Sequence, residues 1–495
     1  MARDSHPLEV QRGRLPGDRY IRRPRAVRGL RHVLGVPGLF STAYGNVGSS
    51  IYYALGVTAL YALGLTPVIF ILGGLLFACT ALSYAEGATA IPEAGGSSAF
   101  ARRGFNDFWG FVAGWALTLD YIITIAISAF AVPNYLAFFY APLKTWPINS
   151  AFGIAIVLGL AAINIIGIRE SARVNILLAI LDLMTQGLIV MLGLFLLLNV
   201  DVLLTNVQWG VAPTWNQLLF GFSISMVAYT GIETISNLGE ETRLPGLNIP
   251  RAMLLVLATV IIMYALIPSI ALSSMPVELG PQGTWTSELG ERWVQDPVMG
   301  IVSHMPAMLR PLLGAWVGIL AATILIIAAN AGIMGLSRLS YSMGRHHLLP
   351  AVLSRIDEKR HTPTMAIIIF SLMASLLILP GRVELLADLY SFGAMLAYTF
   401  AHASILALRF KEPTMPRPFR IPFNISIKGR LVPLPALVGG AGTFGTWLVV
   451  IWSHELGRVV GFVWLMIGVA TYIFYRRRAG IPLLHFSEPQ AKTAG

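Results

Sequence analysis

The sequence predicts an all-α polytopic membrane protein with twelve transmembrane helices. Of the 495 residues, 56% are hydrophobic and only 12% are charged, whereas soluble domains carry about 25% charged residues. The apolar residues gather in runs of membrane-spanning length, which is about 20 residues for a helix. The basic residues gather in alternate connections between these runs. Together these observations argue against a soluble globular protein.

Twelve apolar runs, bounded by charged and turn residues, define the predicted spans. They cover residues 38–62, 67–91, 108–139, 148–168, 172–200, 215–238, 250–275, 311–343, 364–380, 385–409, 432–452 and 457–475. Residues 1–35 are predicted to form a basic cytoplasmic tail, and residues 476–495 a short cytoplasmic C-terminal tail. The connections are short, so no separate soluble domain is predicted.

The distribution of basic residues orients the chain. With the N-terminus inside, 30 of the 35 Lys and Arg residues fall in the tails and the inner connections, and nine of them lie in residues 1–35. Basic residues favour the cytoplasmic side of a membrane. Both termini are therefore predicted to be cytoplasmic, in a protein of the cell membrane. The net charge of +11 is then explained by contact with anionic lipid headgroups, and no nucleic-acid partner is predicted.

The first and sixth spans are each interrupted by glycine and hydroxyl residues. The first reads STAYGNVGSSI over residues 41–51, and the sixth reads SISMVAYTGIET over residues 223–234. They lie five spans apart, which predicts an inverted repeat of residues 36–200 and 201–410, followed by two helices over residues 411–475. Paired interrupted helices indicate a transporter substrate site. The alternative is that small residues only permit close helix packing.

Five motifs follow one another in the order found in a known family. The runs GSSIYYALG (48–56), PEAGGS (92–97) and GFVAGW (110–115) resemble the G-S-G-I-F-x-x-x-G, P-E-A-G-G-S/T and G-F-x-x-G-W motifs of the amino acid–polyamine–organocation family. Residues 239–252 resemble its E-E-x-x-x-P…I-P-R-A stretch, and residues 337–363 its R-x-x-Y-A-M…L-P…T-P stretch. The resemblance implies the leucine-transporter-type fold of five plus five helices, with discontinuous helices 1 and 6 and two extra C-terminal helices.

Unwound backbone in the two interrupted spans is expected to line the substrate site, because lipid cannot satisfy free backbone groups. A half-helix that begins near Ser49 would direct its positive end at a carboxylate. Free carbonyls around residues 44–47 and 228–230 would accept bonds from an ammonium group, so the pair suits an amino acid. The predicted substrate-binding residues are Tyr44, Gly45, Asn46, Val47, Gly48, Ser49, Ser50, Ala228, Tyr229, Thr230 and Gly231.

The sequence departs from the family pattern at two positions. Ser50 stands where the family has the third glycine of G-S-G, so it narrows the site or adds a hydroxyl donor. The run ESARVN (170–175) matches the start of the family's fifth span. Seven residues beyond Asn175, many proton-coupled or exchanging members carry a lysine that substitutes for sodium, and here that position is Asp182.

Four acidic residues in or beside the spans are candidates for proton coupling or gating. Asp182 and Asp120 lie near the middle of the fifth and third spans, where a charged side chain must face the bundle interior. Asp182 is the predicted proton-coupling site and Asp120 a substrate-side anion or second relay; each is alternatively a structural carboxylic acid. Glu86 and Glu233 are candidates for a cytoplasmic gate, or else stabilise helix ends. Their expected gate partners are arginines of neighbouring loops, such as Arg102, Arg103 and Arg243.

The sequence therefore predicts a sodium-independent transporter of amino acids or related amines such as polyamines, either proton-coupled or an exchanger. Sodium is disfavoured because residues 324–332, in the eighth span, contain no Ser or Thr. One alternative is a potassium-uptake permease, since residues 45–50 and Tyr53 resemble G-D-I-G-T-S-x-x-Y, although Asn46 replaces the acidic residue. A transport-dead sensor or an intramembrane enzyme is a second alternative. No catalytic constellation, metal site or cofactor is predicted.

Overall fold

A computed structural model describes residues 34–166, 172–205, 207–280, 283–357, 360 and 362–485. Helices make up most of these residues. The helices are α1 (Val36–Val47), α2 (Ile51–Ala62), α3 (Thr66–Ala90), α4 (Ser97–Gly104), α5 (Asp107–Leu136), α6 (Ile148–Ile166), α7 (Ala172–Leu196), α8 (Val200–Thr205), α9 (Trp215–Ser225), α10 (Glu233–Asn237), α11 (Pro245–Ser274), α12 (Glu288–Glu291), α13 (Pro297–Ser303), α14 (Arg310–Arg345), α15 (Ala351–Ser354), α16 (Thr364–Ile378), α17 (Val383–Lys411), α18 (Leu434–Ser453) and α19 (Glu455–Arg478).

Two short antiparallel hairpins are added to the predicted all-α fold. Strands β1 (Val277–Leu279) and β2 (Trp285–Ser287) pair in one, and β3 (Asn424–Ile427) and β4 (Arg430–Pro433) in the other. Both lie in connections between long helices, where the backbone does not have to satisfy its hydrogen bonds within a single helix.

The long helices have the length and composition of membrane spans. Within the described residues, ten segments qualify, and the first, Val36–Ala90, is 55 residues long and contains α1, α2 and α3. The helix Thr364–Ile378 is apolar but shorter. These segments confirm a mostly helical, multi-pass membrane protein.

The exposed surface of the long helices is apolar, as in a membrane protein, and the interior holds buried charged groups among a larger number of apolar side chains. Large apolar side chains are exposed on the outer helices, among them Leu75, Met184 and Phe195. Carboxylates such as Asp120 and Asp182 are fully buried between helices. Lipid accepts apolar surface readily and charged groups only at high cost, so the polar groups at the centre are the ones that position the candidate site.

One end of the bundle gathers the connections 91–96, 238–244, 346–357 and 412–433, and we call it the basic end. The backbone N–H of Ala94 donates to Glu240 (3.2 Å), and Arg103 pairs with Glu412 (2.7 Å), so these connections are in contact. The chain at Leu34 pairs with Thr242 here. The tails predicted over residues 1–35 and 476–495 lie mostly outside the described residues.

The sixth span is broken, as predicted. Helix α9 ends in a 3-10 turn over Met226–Tyr229, Thr230 is extended, and α10 begins at Glu233. Gly231 has a φ of 118°, a conformation that glycine adopts without steric cost. The interruption therefore depends on Gly231.

The unwound backbone predicted in the first span is corrected by the structure. Helix α1 passes into α2 through one 3-10 turn, Gly48–Ser50, and the flanking residues keep right-handed helical angles. The hydroxyls of Ser49 and Ser50 both bond to the carbonyl of Asn46 (2.9 and 3.3 Å). Hydroxyl groups that bond back to the preceding turn compete with its backbone hydrogen bonds and often bend a helix, which accords with a 3-10 turn at this point rather than an unwound segment.

Candidate functional site

The two interrupted spans touch at their interruptions. A Cβ atom placed on Gly231 would lie 2.9 Å from Asn46 Cγ, so only a glycine leaves room for the Asn46 side chain at this position. The amide of Asn46 also donates to Thr234 Oγ1 (3.1 Å). The predicted residues of the first and sixth spans are thereby brought together at the centre of the bundle.

Protein groups occupy two of the carbonyls expected to be free for a substrate, those of Val47 and Tyr229, and also the neighbouring carbonyl of Gly48. Tyr264 donates its hydroxyl to the carbonyl of Val47, and Gln186 Nε2 donates to the carbonyl of Gly48 (3.1 Å). In the sixth span, the hydroxyl of Tyr398 donates to the carbonyl of Tyr229 (3.4 Å). This corrects the expectation from sequence, because neighbouring helices supply donors that the sequence of the span itself does not reveal.

Threonine and tyrosine hydroxyls link the broken span to its neighbours. Thr230 Oγ1 donates to the hydroxyl of Tyr390 (2.6 Å), and that hydroxyl also bonds Thr124 Oγ1 (2.5 Å). The hydroxyl of Tyr229 donates to the carbonyl of Phe70. The interruption in the sixth span is therefore attached to α3, α5 and α17.

Asp182 joins the two helical parts of the first span. Its Oδ2 accepts from the hydroxyl of Tyr44 in α1 (3.0 Å), and its Oδ1 accepts from Tyr52 in α2 (2.7 Å). Gln186 Nε2 donates to Oδ2 as well (3.0 Å). The carboxylate is 0% exposed. Its three donors hold the carboxylate against both helical parts of the span, so any change in its charge acts on both sides of the 3-10 turn.

Asp120 and Glu233 are the other buried acids at the centre, and both are 0% exposed. Glu233 Oε2 accepts from the backbone N–H of Gly231 and from the hydroxyl of Tyr398 (both 2.9 Å). Glu233 Oε1 and both oxygens of Asp120 have no hydrogen-bond partner among the described residues. Unsatisfied buried oxygens are rare in proteins.

Glu86 has partners other than those expected. It forms a two-bond pair with Arg409 (2.9 and 2.6 Å), and Arg417 Nε lies 3.3 Å from it. The backbone N–H of Ile421 donates to it as well (2.9 Å). The sequence suggested Arg102, Arg103 or Arg243 as partners. Glu86 instead attaches the end of α17 and the following connection to α3.

The PEAGGS motif forms a tightly held connection at the basic end. Gly95 and Gly96 have φ values of 131° and 51°, and the amide of Gly95 donates to Asn237 Oδ1 (2.9 Å). A hydrogen bond with His346 and the charge of Arg102 lower the pKa of Glu93 to about 2. The motif thus links the end of α3 to the broken sixth span.

The centre of the bundle is closed in this structure. The candidate residues of the first and sixth spans are buried, and those with a measured exposure are at most 2% exposed. A groove of about 650 Å³ lies elsewhere, between α9 and α18, and Tyr61 and Trp452 line it. Among the described residues, no group of three or more His, Cys, Asp or Glu side chains could hold a metal ion.

Sequence reasoning missed most of the tyrosines that hold the site. Tyr52, Tyr264, Tyr390 and Tyr398 donate to or accept from groups in the two interrupted spans or Asp182. These tyrosines could have been suspected only because they lie within apolar spans, where a buried hydroxyl group needs a hydrogen-bond partner.

Comparison with known proteins decides the family. The chain matches the family described as "Amino acid permease" over residues 34–475. It belongs to the amino acid permease family. This confirms the resemblance to amino acid–polyamine–organocation transporters, and the permease is a multi-pass membrane protein of a family of transporters rather than enzymes.

Three relatives of this permease carry different names. It is 25% identical to the branched-chain amino acid permease BcaP of Bacillus subtilis, over 91% of this chain and 94% of that protein. It is 25% identical to the methylthioribose transporter of Bacillus subtilis (83% and 86%) and 26% identical to the human cystine/glutamate transporter (82% and 77%). The substrates in these names differ. The relatives therefore show that the family transports small molecules, but they do not identify the substrate of this permease.

Gly231→Ala is expected to slow transport by this permease about tenfold or more. A side chain at this φ costs about 1–3 kcal/mol, and each 1.4 kcal/mol corresponds to a factor of ten. The new Cβ would also press on Asn46 Cγ at 2.9 Å and separate the two interrupted spans. The measurement is the initial uptake of a mixture of radiolabelled amino acids into liposomes that contain the purified protein.

Gly445→Ala is the matched control, because nothing lies within 4 Å of a Cβ at that position in α18. It is expected to transport like the wild type. Equal activity of the two variants would show that the contact between Gly231 and Asn46 is not required.

Proposed function

We propose that this permease is a secondary active transporter for amino acids or related amines, working by alternating access, independent of sodium and coupled to protons or to exchange. The observation that carries the proposal is Asp182, whose carboxylate accepts hydrogen bonds from Tyr44 and Tyr52 on either side of the turn in the first span. Asp182 is buried and bonds to α1, and α1 in turn contacts the broken sixth span through Asn46. A change in the charge of Asp182 can therefore act on the region where the two spans meet.

The proposed architecture has twelve spans in the cell membrane, with both termini in the cytoplasm. The segment Val36–Ala90 supports two of them, since a 3-10 turn, Leu63–Leu65, and the positive φ of Leu63 separate α2 from α3. Thr364–Ile378 is the ninth span. Spans one to five and six to ten form the inverted repeat, and the basic end faces the cytoplasm, as its many Lys and Arg residues favour.

The proposed substrate site lies where the two interrupted spans meet, over residues 44–50 and 228–231. Gly231 supports this assignment, because its φ of 118° leaves backbone that is not committed to a regular helix. Side chains now occupy several carbonyls there, so substrate binding requires the surrounding tyrosines to move. Hydrogen bonds between these carbonyls and protein side chains would then be replaced by hydrogen bonds to the substrate. Such a replacement would let substrate binding favour a different conformation.

Asp182 is the proposed proton-coupling residue. As a carboxylate it accepts three hydrogen bonds, from Tyr44, Tyr52 and Gln186. A proton on one oxygen turns an acceptor into a donor and opposes one of these bonds. Proton uptake would therefore loosen the link between α1 and α2. Asp120 and Glu233 are proposed as further proton or gating sites, whereas the ion pairs of Glu86 favour an anchoring role.

The decisive experiment is uptake into sodium-free liposomes that contain the purified protein and a pH-sensitive dye. Radiolabelled amino acids and amines are added in turn, with and without an inward proton gradient. We expect at least one of them to accumulate above its equilibrium level only with the gradient and to acidify the lumen. Movement of potassium alone, with no amino acid or amine transported, would refute the proposal.

A further inference from the structure

His454 attaches two helices of the bundle to the connection between α18 and α19. Its side chain is 0% exposed and lies at the end of α18 opposite the basic end. Nδ1 of the imidazole pairs with Asp388 in α17, and Nε2 lies 2.6 Å from Oγ of Ser223 in α9. We call these three residues the histidine contact. Because α9 leads to the break in the sixth span, the histidine contact holds an element next to the proposed substrate site.

Further contacts fix the position of the imidazole. The ring of Phe220 stacks on it, with 3.8 Å between the ring centroids and 6° between the planes. Asp388 Oδ2 accepts from the backbone N–H of Gly457 (3.2 Å), and Ser391 Oγ donates to the carbonyl of Ser223 (3.0 Å). The imidazole therefore has a defined orientation between the carboxylate and the hydroxyl group.

The hydrogen bonds of the histidine contact depend on the number of protons on the ring. A carboxylate can only accept, so Nδ1 carries the hydrogen that it donates to Asp388. Ser223 has one hydroxyl hydrogen, and its Oγ lies 2.7 Å from the carbonyl of Phe220 as well as 2.6 Å from Nε2. On a neutral ring, Nε2 is an acceptor and takes that hydrogen. On a charged ring, Nε2 donates to Ser223 Oγ, and the hydroxyl of Ser223 donates to Phe220.

A proton on the ring therefore strengthens the attachment of α9. It adds one hydrogen bond, and it turns the pair with Asp388 into an ion pair, whose hydrogen bonds are shorter and stronger than those between neutral groups. Histidine is the side chain whose charge ordinarily changes between about pH 5 and 8. The strength of the histidine contact is thus expected to change with pH in this range.

Asp388 is the charged group that contacts the ring. The other charged or titratable side chains beside the histidine contact are Glu384 in α17, Tyr61 in α2, which packs on Phe220, and Glu455 and Arg458 in α19. Helices α9 and α18 contain none. Glu455 is exposed, and Arg458 donates to the carbonyl of Ile451 (3.2 Å).

Serine, histidine and aspartate also form the catalytic triad of serine hydrolases, but the histidine contact does not suit that role. Ser223 is 0% exposed, so a substrate carbonyl cannot reach its Oγ. The hydroxyl group of Ser223 serves instead as a hydrogen-bond partner of the imidazole.

Space beside the histidine contact gives α9 room to move. The groove of about 650 Å³ between α9 and α18 is lined in part by Phe220, Trp452 and Ser453, which are the ring stacked on His454 and the two residues that precede it. Protein interiors are otherwise close-packed. A weaker histidine contact would therefore let α9 shift into this groove.

We propose that the histidine contact is a proton-sensitive latch, in which a proton on His454 holds α9 in its present position and slows transport. Acid on the side of the membrane opposite the basic end would then slow the opening of the closed centre. This regulation of rate is separate from the proton coupling proposed for Asp182. It rests on the proposed movement of the sixth span and does not depend on which substrate is transported.

The first test needs no substrate. The melting temperature of the purified full-length protein in detergent is measured at about pH 8 and about pH 5.5, on either side of the usual titration of histidine. The proteins compared are the wild type, His454→Gln and the control His347→Gln, which changes an exposed histidine at the basic end. Since only a charged ring makes the additional bonds, acidification should raise the melting temperatures of the wild type and the control relative to that of His454→Gln by at least about 2 degrees.

The second test measures exchange of a mixture of radiolabelled amino acids in liposomes that have the same pH and the same amino acids on both sides, so that no proton gradient drives it. Acidification should slow exchange by the wild type and by His347→Gln about tenfold more than exchange by His454→Gln, which corresponds to one hydrogen bond to a charged group. Asp388→Asn removes the ion pair and should reduce the effect of acid. Ser223→Ala removes the acceptor of Nε2–H and takes the place of His454→Gln if that variant does not fold.

Equal effects of pH on the wild type and His454→Gln in both assays would overturn the inference and leave the proposed function intact. A difference in melting temperature without a difference in exchange would show that the histidine contact stabilises the fold and does not regulate transport, which also overturns it. If no amino acid or amine is exchanged by any of these proteins, the proposed function is overturned, and with it the role of the histidine contact in transport.

Discussion

Asp182→Asn is expected to slow proton-driven accumulation of substrate strongly while the protein still folds. The asparagine keeps the shape of the side chain, but its amide nitrogen must face either Tyr52 or the pair Tyr44 and Gln186, which donate to opposite oxygens of the carboxylate. Hydrogen bonds to a charged group are worth about 1.5–3 kcal/mol each, so the coupled rate should fall about 10- to 100-fold. Lumen acidification and labelled uptake, measured together with and without a proton gradient, check the result.

The control for this change is Asp201→Asn, which makes the same chemical replacement at an exposed position. It should leave uptake and acidification unchanged. Tyr52→Phe removes one donor and keeps the carboxylate, so it should weaken coupling without eliminating it. If the Asp182 variant accumulates substrate with the full proton response, the residue is structural and coupling must be assigned elsewhere.

Glu86→Gln is expected to cause the largest loss of stability among single changes at the basic end. The carboxylate is 1% exposed and lies against two arginines, Arg409 and Arg417, which are 6% and 4% exposed. Breaking a buried ion pair leaves an uncompensated charge and costs about 3–5 kcal/mol. The apparent melting temperature of the purified protein in detergent, followed by size-exclusion chromatography after heating, measures the effect.

Glu291→Gln provides the comparison, because Glu291 is the exposed last residue of α12 and surface charges contribute about 0–1 kcal/mol. Its melting temperature should lie within about two degrees of the wild-type value, because substitutions of exposed residues usually change stability little. A Glu86 variant with the same melting temperature as this control would show that the pair does not stabilise the packing of α17 on α3.

The sequence predicted those features of the fold that depend on one segment of the chain at a time. A helix that crosses a bilayer needs a long apolar run, so the long helices could be located from composition alone. Gly231 and its neighbouring hydroxyl residues located the break in the sixth span, since few other residues adopt a φ of 118°. The insertion cost of a charge predicted that Asp120 and Asp182 face inward, and both are 0% exposed.

Only the tertiary structure decided which partners these groups have. Glu86 pairs with Arg409, 323 residues away along the chain, and the carbonyl of Val47 is satisfied by Tyr264. The expectation of unwound backbone in the first span was wrong, because residues 48–50 form a 3-10 turn with right-handed helical angles on both sides. By itself, the sequence determined the membrane-spanning architecture, the family motifs and the inward-facing acids, since these follow from local composition and spacing. The hydrogen-bond partners of the acids depend on how distant helices pack, and no local pattern encodes that packing.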